Sequence, residues 1–66
     1  MTVSINGLKR EVPGHTSLEG LVELLQLQKK SIALELNRRV VQRSSFKEVW
    51  LQPNDTIEIV HFVGGG

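Results

Sequence analysis

Cysteine is absent from this chain of 66 residues. The chain therefore has no disulfide, no thiolate metal site and no thiol nucleophile, and a small domain without disulfides is typical of a reducing compartment. Long apolar runs are also absent, since none approaches the about 18 residues that a membrane-spanning helix requires, and no signal peptide is recognised. We therefore expect a cytoplasmic protein that does not enter a membrane.

The charges are nearly balanced, and the formal net charge is only +1, which gives no strong attraction to nucleic acid or acidic lipid. One short stretch is basic and contains Arg38, Arg39 and Arg43. A nucleic-acid site also needs aromatic side chains for stacking, but only Phe46 and Trp50 are near, and Trp50 is expected to pack. We predict no nucleic-acid partner. The arginines form either a solvated edge or a contact for an acidic patch on a protein.

Residues suited to catalysis are scarce. The two histidines are His15, expected in a solvated loop, and His61, expected as a partly exposed strand residue or an interface contact. Neither has an evident nucleophile beside it, as covalent catalysis requires. The sequence also lacks the ligand spacing of a metal site and a glycine-rich loop before a helix. We predict that the chain is not an enzyme and binds no metal or cofactor of its own.

The chain opens with a β-hairpin. Thr2–Ile5 alternates between polar and apolar residues, and Leu8–Val12 forms the return strand. Asn6-Gly7 between them predicts a two-residue type I′ turn, because both positions need a positive φ.

One amphipathic helix follows. Thr16 and Glu19 have the spacing of a capping box, although Ser17 is a rival N-cap, and the helix is predicted to run to about Leu27. At 100° per residue, four apolar side chains form one stripe that should face a sheet: Leu18, Leu21, Val22 and Leu25.

Three further extended segments are predicted, at residues 32–36, 39–42 and 56–62, with a possible helical turn within 43–46 and a short extended piece within 47–51. A single helix with one apolar stripe needs one sheet to cover it. The predicted fold class is α+β, with a mixed sheet of four to five strands packed on one main helix. The first and last strands are expected to lie parallel in the middle of the sheet.

The chain ends in Gly64-Gly65-Gly66, directly after the last predicted strand. Three glycines add little to a fold, because glycine has no side chain to pack and loses much entropy on ordering. Extended, they reach about 10 Å and fit a channel too narrow for side chains. We predict a domain of residues 1–63 and a flexible tail of residues 64–66 that brings a carboxylate into another protein's active site. A frayed terminus or a cloning scar is the alternative.

A hairpin, one helix and a late strand that ends in glycines resemble the ubiquitin-like β-grasp fold. The short length and the ending His61-Phe62-Val63-Gly64-Gly65-Gly66 resemble the ThiS-type sulfur carriers of thiamine biosynthesis. The resemblance covers the whole chain and rests on a terminal Gly-Gly pair in a cysteine-free chain of this size.

The resemblance implies a sequence of reactions at Gly66. An E1-like enzyme that uses ATP and Mg²⁺ adenylates the terminal carboxylate, and sulfur from a cysteine desulfurase system then converts it to a thiocarboxylate. Thiazole synthase receives that sulfur. Gly64 and Gly65 would be needed for access to these partners, and the chain would be a monomer when free.

The outward positions of the last strand, Glu58, Val60 and Phe62, are predicted to dock the partners. The alternative for Val60 and Phe62 is a small buried cluster under a loop. Other functions also fit the glycine tail: a sulfur carrier for molybdopterin synthesis, a ubiquitin-like carrier for tRNA thiolation or protein conjugation, and a plain β-grasp binding module.

Overall fold

The computed structural model describes residues 1–62. The elements in chain order are β1 (Thr2–Ile5), β2 (Leu8–Glu11), α1 (Leu18–Leu24), a 3₁₀ turn (Lys29–Ser31), β3 (Ile32–Leu36), β4 (Arg39–Val41), a longer 3₁₀ segment (Arg43–Glu48) and β5 (Thr56–His61). The predicted α+β class with one main helix is confirmed. The predicted boundary between a domain of residues 1–63 and a tail of residues 64–66 lies outside the described residues.

The five strands form one sheet in the order β2-β1-β5-β3-β4. β1 and β5 are parallel, with Ser4 opposite Thr56 and Ile5 opposite Ile57. The other neighbouring pairs are antiparallel. The chain therefore returns at its end to the middle of the sheet, as predicted, and β5 has a strand on each side.

The two tight turns of the sheet use left-handed backbone conformations. Asn6 and Gly7 have φ values of 49° and 84°, which agrees with the predicted type I′ hairpin. Asn37 and Arg38 connect β3 and β4 with φ values of 51° and 70°. The side chain of Asn37 supports its turn, because its Oδ1 accepts a hydrogen bond from the Thr56 N–H at 2.9 Å.

A single core lies between the sheet and α1. The predicted stripe contributes Leu18, Leu21 and Val22, which are fully or almost fully buried, and Leu25 packs half-buried against them. The remaining core residues come from the strands and from the segment between β4 and β5: Val3, Val12, Ile32, Leu34, Phe46, Leu51, Ile57 and Ile59. The buried positions of β1, β3 and β5 lie on the side that faces α1, and the opposite side of the sheet has no covering layer among the described residues.

The start of α1 differs from the predicted capping box. Ser17 is the N-cap, and its Oγ accepts a hydrogen bond from the Gly20 N–H at 3.0 Å. Thr16 is buried and its hydroxyl donates to the Pro13 carbonyl at 2.5 Å. Glu19 accepts a hydrogen bond from Lys29 Nζ at 2.6 Å, and this bond lowers the pKa of the Glu19 carboxyl from its ordinary value. The capping box was therefore wrong and the rival N-cap was right.

The end of α1 also differs, since the helix stops at Leu24 and not near Leu27. Gln26 adopts a left-handed φ of 59°. The Gln26 N–H donates to the Glu23 carbonyl and the Leu27 N–H donates to the Val22 carbonyl, each at 3.0 Å. These two bonds form a Schellman motif, which usually has glycine at the left-handed position. Because glutamine is not typical of this position, the sequence did not indicate that the helix ends here.

The segment between β4 and β5 contains the predicted helical turn as part of a 3₁₀ segment that begins at Arg43. The extended piece predicted after it is reduced to one bridge between Trp50 and Ser17. Trp50, which was expected to pack, is 53% exposed, so about half of its surface is covered. Among residues 1–62, no helix has the length and apolar character needed to cross a membrane.

Candidate functional site

The candidate site begins where β5 ends, because only Phe62 and Val63 separate β5 from the glycines that carry the predicted chemistry. Gly64, Gly65 and Gly66 lie outside the described residues, so their predicted roles stay predictions. The described geometry covers the chain up to Phe62 and shows how the fold holds the strand that precedes them.

β5 is held on its β3 side along its whole length. The register pairs five residues of each strand and ends with Ile32 opposite His61. One further bond extends this support past the strand, since the Phe62 N–H donates to the Ser31 carbonyl at 3.0 Å. The backbone is therefore hydrogen-bonded to the rest of the domain as far as Phe62, the last described residue.

On the other side, the side chain of Asn6 continues the pairing where β1 stops. The Ile59 N–H donates to Asn6 Oδ1 at 2.7 Å, and Asn6 Nδ2 donates to the Ile59 carbonyl at 3.2 Å. The side-chain amide of Asn6 thus forms the two hydrogen bonds that the backbone N–H and carbonyl of one more β1 residue would form. The sequence indicated only a turn role for Asn6, because this contact spans 53 positions of the chain and no local pattern encodes it.

Replacing Asn6 with glycine tests this anchor, because glycine tolerates the positive φ and removes only the side chain. We expect Asn6→Gly to lower the free energy of unfolding by about 1–2 kcal/mol, the net value of two hydrogen bonds. Hydrogen exchange at the Ile59 amide should accelerate by more than the loss in the free energy of unfolding explains. Asn54→Gly is the matched control, since Asn54 also has a positive φ of 69°. Equal losses in the two variants would contradict a special role for the Asn6 amide.

The alternation of β5 separates core from surface. Ile57 and Ile59 are buried beneath α1, whereas Glu58 and Val60 face the uncovered side of the sheet. Val60 is 57% exposed and Phe62 is 53% exposed. The alternative of a small buried cluster at Val60 and Phe62 is therefore wrong. Their predicted docking role, with Glu58, stays a prediction.

The strand register shows which residues lie beside these positions. Ala33 is opposite Val60, Glu35 is opposite Glu58, and Val40 is opposite Glu35. Val40 is 74% exposed. We name this surface the outer face and define it as Ala33, Glu35, Val40, Glu58 and Val60. The sequence did not identify its β3 and β4 members, because the register between strands cannot be read from one strand's pattern.

Phe62 lies at the end of the outer face. It lines an open groove of about 210 Å³ together with Ala33, Val40, Arg43 and other residues of the β4 edge. Arg43 also donates from Nη1 to the Lys30 carbonyl at 3.1 Å. An apolar surface therefore continues from the outer face to the last described residue.

Two of the three arginines of the basic stretch, Arg38 and Arg43, lie at opposite ends of β5. Arg38 is in the β3–β4 turn, near the start of β5, because the neighbouring Asn37 N–H donates to the Thr56 carbonyl at 2.7 Å. Arg43 lies beside Phe62, at the opposite end of β5. The predicted absence of a nucleic-acid partner stays a prediction.

The histidines are not brought together either. His15 is exposed in the loop before α1, and His61 is exposed at the end of β5, opposite Ile32. Within residues 1–62, no group of three or more His, Asp or Glu side chains could hold a metal ion.

Comparison with known proteins agrees with this geometry. The sequence model of the ThiS family matches residues 3–66. The sulfur carrier protein ThiS of Bacillus subtilis is 40% identical over 50 residues, which cover 76% of each chain. A protein of Magnetococcus marinus named thiazole synthase is 41% identical over the whole of this chain, but the chain spans only 20% of that relative's length.

A solved structure supports the same assignment. The crystal structure of the thiamine biosynthesis protein ThiS from Geobacter metallireducens superposes with a TM-score of 0.87 and 28% sequence identity, covering 100% of both chains. This likeness shows that the two proteins share the fold described above. The match to the family model, the Bacillus subtilis relative and this shared fold together show that the chain belongs to the ThiS family.

Proposed function

We propose that this chain carries sulfur as a thiocarboxylate on Gly66 and delivers it during thiazole formation in thiamine biosynthesis. The observation that carries the proposal is its membership of the ThiS family over residues 3–66, a match that includes the terminal glycines. The chain acts as a carrier and co-substrate, and partner enzymes perform the catalysis.

The terminal carboxylate must first be activated, because its oxygen is a poor leaving group. An E1-like partner that uses ATP and Mg²⁺ transfers AMP to the Gly66 carboxylate and releases pyrophosphate. A persulfide supplied by a cysteine desulfurase system then attacks the carbonyl carbon and displaces AMP, which forms an acyl disulfide. A second thiol cleaves the S–S bond, leaves the thiocarboxylate on Gly66 and forms a disulfide with the donor sulfur.

The composition of the chain suits this role. The chain has no cysteine, so it cannot hold a persulfide itself and has no thiol that could attack the activated carboxyl group. Gly64 and Gly65 present no side chain to a narrow active-site channel. The described fold holds the strand that precedes these glycines. β5 is hydrogen-bonded on both sides as far as Ile59, and the hydrogen bonds on the β3 side continue as far as Phe62.

Partner docking is proposed at Glu58, Val60 and Phe62. Exposed apolar side chains beside a reactive terminus fit a protein interface, whose centre is usually apolar. The Magnetococcus marinus relative named thiazole synthase contains a segment homologous to this whole chain. This supports a thiazole synthase as the partner that receives the sulfur, with the adenylating enzyme as the partner that acts before it.

A reconstitution with purified partners tests the proposal. With the adenylating enzyme, ATP and Mg²⁺, the chain should support exchange of pyrophosphate into ATP. After addition of the cysteine desulfurase system, the product should supply sulfur to thiazole synthase and form the thiazole with stoichiometric loss of thiocarboxylate. Omission of the desulfurase is the control and should stop the reaction at the adenylate. Thiocarboxylate that thiazole synthase cannot use, but molybdopterin synthase can, would contradict the proposed acceptor.

A further inference from the structure

β2 lies at one edge of the sheet and has free hydrogen-bonding groups on its outer side. Val12, just after β2, exchanges hydrogen bonds with Met1: the Val12 N–H donates to the Met1 carbonyl at 2.9 Å, and the Met1 amino group donates to the Val12 carbonyl at 2.6 Å. In an antiparallel pair, such bonded positions alternate with positions whose N–H and C=O point away from the partner strand. Lys9 and Glu11 are positions of the second kind in the β1–β2 register. Their backbone groups therefore point to the side of β2 on which no strand of residues 1–62 lies.

An open groove of about 330 Å³ lies beside this edge, between β2 and the end of α1. Its apolar lining comes from Ile5, Leu8 and Leu25. Leu8 is 74% exposed, whereas Ile5 and Leu25 are half-buried. Because Leu8 is opposite Ile5 in register, its side chain lies on the side of the sheet that faces α1. An apolar side chain from a neighbouring strand would therefore be covered on several sides in this groove.

The same edge is basic. Lys9 and Arg10 are exposed, and neither belongs to an ion pair within residues 1–62. The neighbouring Glu11 is instead close to the Met1 amino group, with its Oε2 at 4.0 Å. Successive side chains of a strand point to opposite faces of a sheet, so Arg10 lies on the groove side and Lys9 on the other side. A strand added to β2 would therefore meet a positive charge on each of its two faces.

We propose that β2 binds an extended acidic segment of a partner protein as an additional strand at the edge of the sheet. Cross-strand neighbours interact when they are directly opposite, so the complementary segment has an apolar residue opposite Leu8 and acidic residues opposite Lys9 and Arg10. Its backbone pairs with the free groups of Lys9 and Glu11, and its apolar side chain occupies the groove. In strand addition of this kind, main-chain hydrogen bonds supply affinity and side-chain pockets supply specificity.

A second copy of this chain fits the edge less well. In a two-fold antiparallel pair of β2 strands, the central residue lies opposite its own copy. Among the registers that use the free N–H and C=O groups, the two that pair three residues of β2 place either Lys9 or Arg10 at that centre. Like charges directly opposite each other are destabilising. The charge pattern therefore favours an acidic partner over self-association.

The experiment titrates the purified chain with a blocked peptide, Thr-Thr-Glu-Glu-Val-Thr-Val-Thr, and follows the backbone amides by NMR. When this peptide is antiparallel to β2, its two Glu residues lie opposite Arg10 and Lys9, and its first Val lies opposite Leu8. Hydrogen exchange at the Lys9 and Glu11 amides should slow about tenfold near saturation, because each gains a hydrogen-bond partner. The Leu8 and Arg10 amides should change less, since the β1–β2 hairpin already bonds them.

Variants separate the charge from the groove. Arg10→Glu should weaken peptide binding at least about tenfold, because it places like charges opposite each other. Leu8→Ala should weaken it about tenfold, because the apolar contact in the groove is lost. Lys47→Glu is the matched control, since it changes the net charge equally but lies exposed in the 3₁₀ segment after β4, and it should leave the affinity unchanged. A peptide with Lys in place of both Glu residues should bind the double variant Lys9→Glu/Arg10→Glu and not the wild type.

Three outcomes would overturn the proposal. Unchanged exchange at Lys9 and Glu11 with millimolar peptide would leave the two basic residues the role of keeping the edge from pairing. Slow exchange there without peptide, increasing with protein concentration, would assign the edge to a second copy. Equal affinities of the wild type and Arg10→Glu would place the peptide elsewhere. None of these measurements involves Gly66, and β1 lies between β2 and β5, so each outcome leaves the proposed sulfur loading to its own test.

Discussion

Deletion of Gly66 is expected to abolish thiocarboxylate formation and to leave the melting temperature within about 4 °C of the wild type. The reaction requires a carboxylate at the position that the adenylating enzyme reaches, and removal of one glycine shortens that reach by about 3.3–3.6 Å. Stability should not change, because glycine has no side chain to bury and surface changes usually fall within about 0.5 kcal/mol. Intact mass measurement and thermal melting of the same samples check both expectations.

Two further variants separate length from chemistry. An alanine appended after Gly66 restores the length but converts the Gly66 carboxylate to an amide, and it should lower sulfur loading severely. Gly65→Ala keeps the terminal carboxylate but adds a methyl group and restricts the backbone, and it should also impair loading. A shortened chain that melts like the wild type and still accepts adenylate and sulfur efficiently would show that Gly66 is not the reactive residue.

Replacement of Leu21 by alanine is expected to give the largest loss of stability. Leu21 is 0% exposed, and truncation of a buried leucine removes apolar contacts and leaves a cavity, at a cost of about 2–5 kcal/mol. A core this small rarely supplies more than about 3–5 kcal/mol in total. Leu21→Ala should therefore be partly or wholly unfolded at physiological temperature, as urea denaturation can measure.

Leu24→Ala is the matched control for Leu21→Ala. Leu24 lies on the same helix but is 45% exposed, so the same truncation should cost much less, below about 1 kcal/mol. A loss for Leu21→Ala that is no larger than the loss for Leu24→Ala would contradict the packing of α1 on the sheet.

The sequence was sufficient for the elements whose signals are local. The Asn6-Gly7 turn and the apolar stripe of α1 depend on residues a few positions apart, and both were predicted correctly. The end of α1 was predicted too late in the sequence. Glycine usually occupies the left-handed position that ends a helix, but here that residue is Gln26. Trp50 was expected to pack because its size favours burial, but the sequence could not show that its position in the fold leaves it half exposed.

The candidate site could be predicted only along β5. Alternation identified Glu58 and Val60 as outward positions, since it needs no knowledge of neighbouring strands. The bond between Asn6 and Ile59 and the opposition of Glu35 and Glu58 depend on register between segments far apart in the chain. Such contacts follow from the completed sheet, so no single segment of the sequence encodes them.

We propose that sulfur is carried on the terminal carboxylate of Gly66. Top-down fragmentation mass spectrometry of the chain, after incubation with the adenylating enzyme, ATP, Mg²⁺ and the cysteine desulfurase system, tests this proposal most directly. We expect one oxygen to be replaced by sulfur and every fragment carrying the change to contain Gly66. Sulfur at an internal residue, or an unchanged mass with partner enzymes shown to be active, would contradict it.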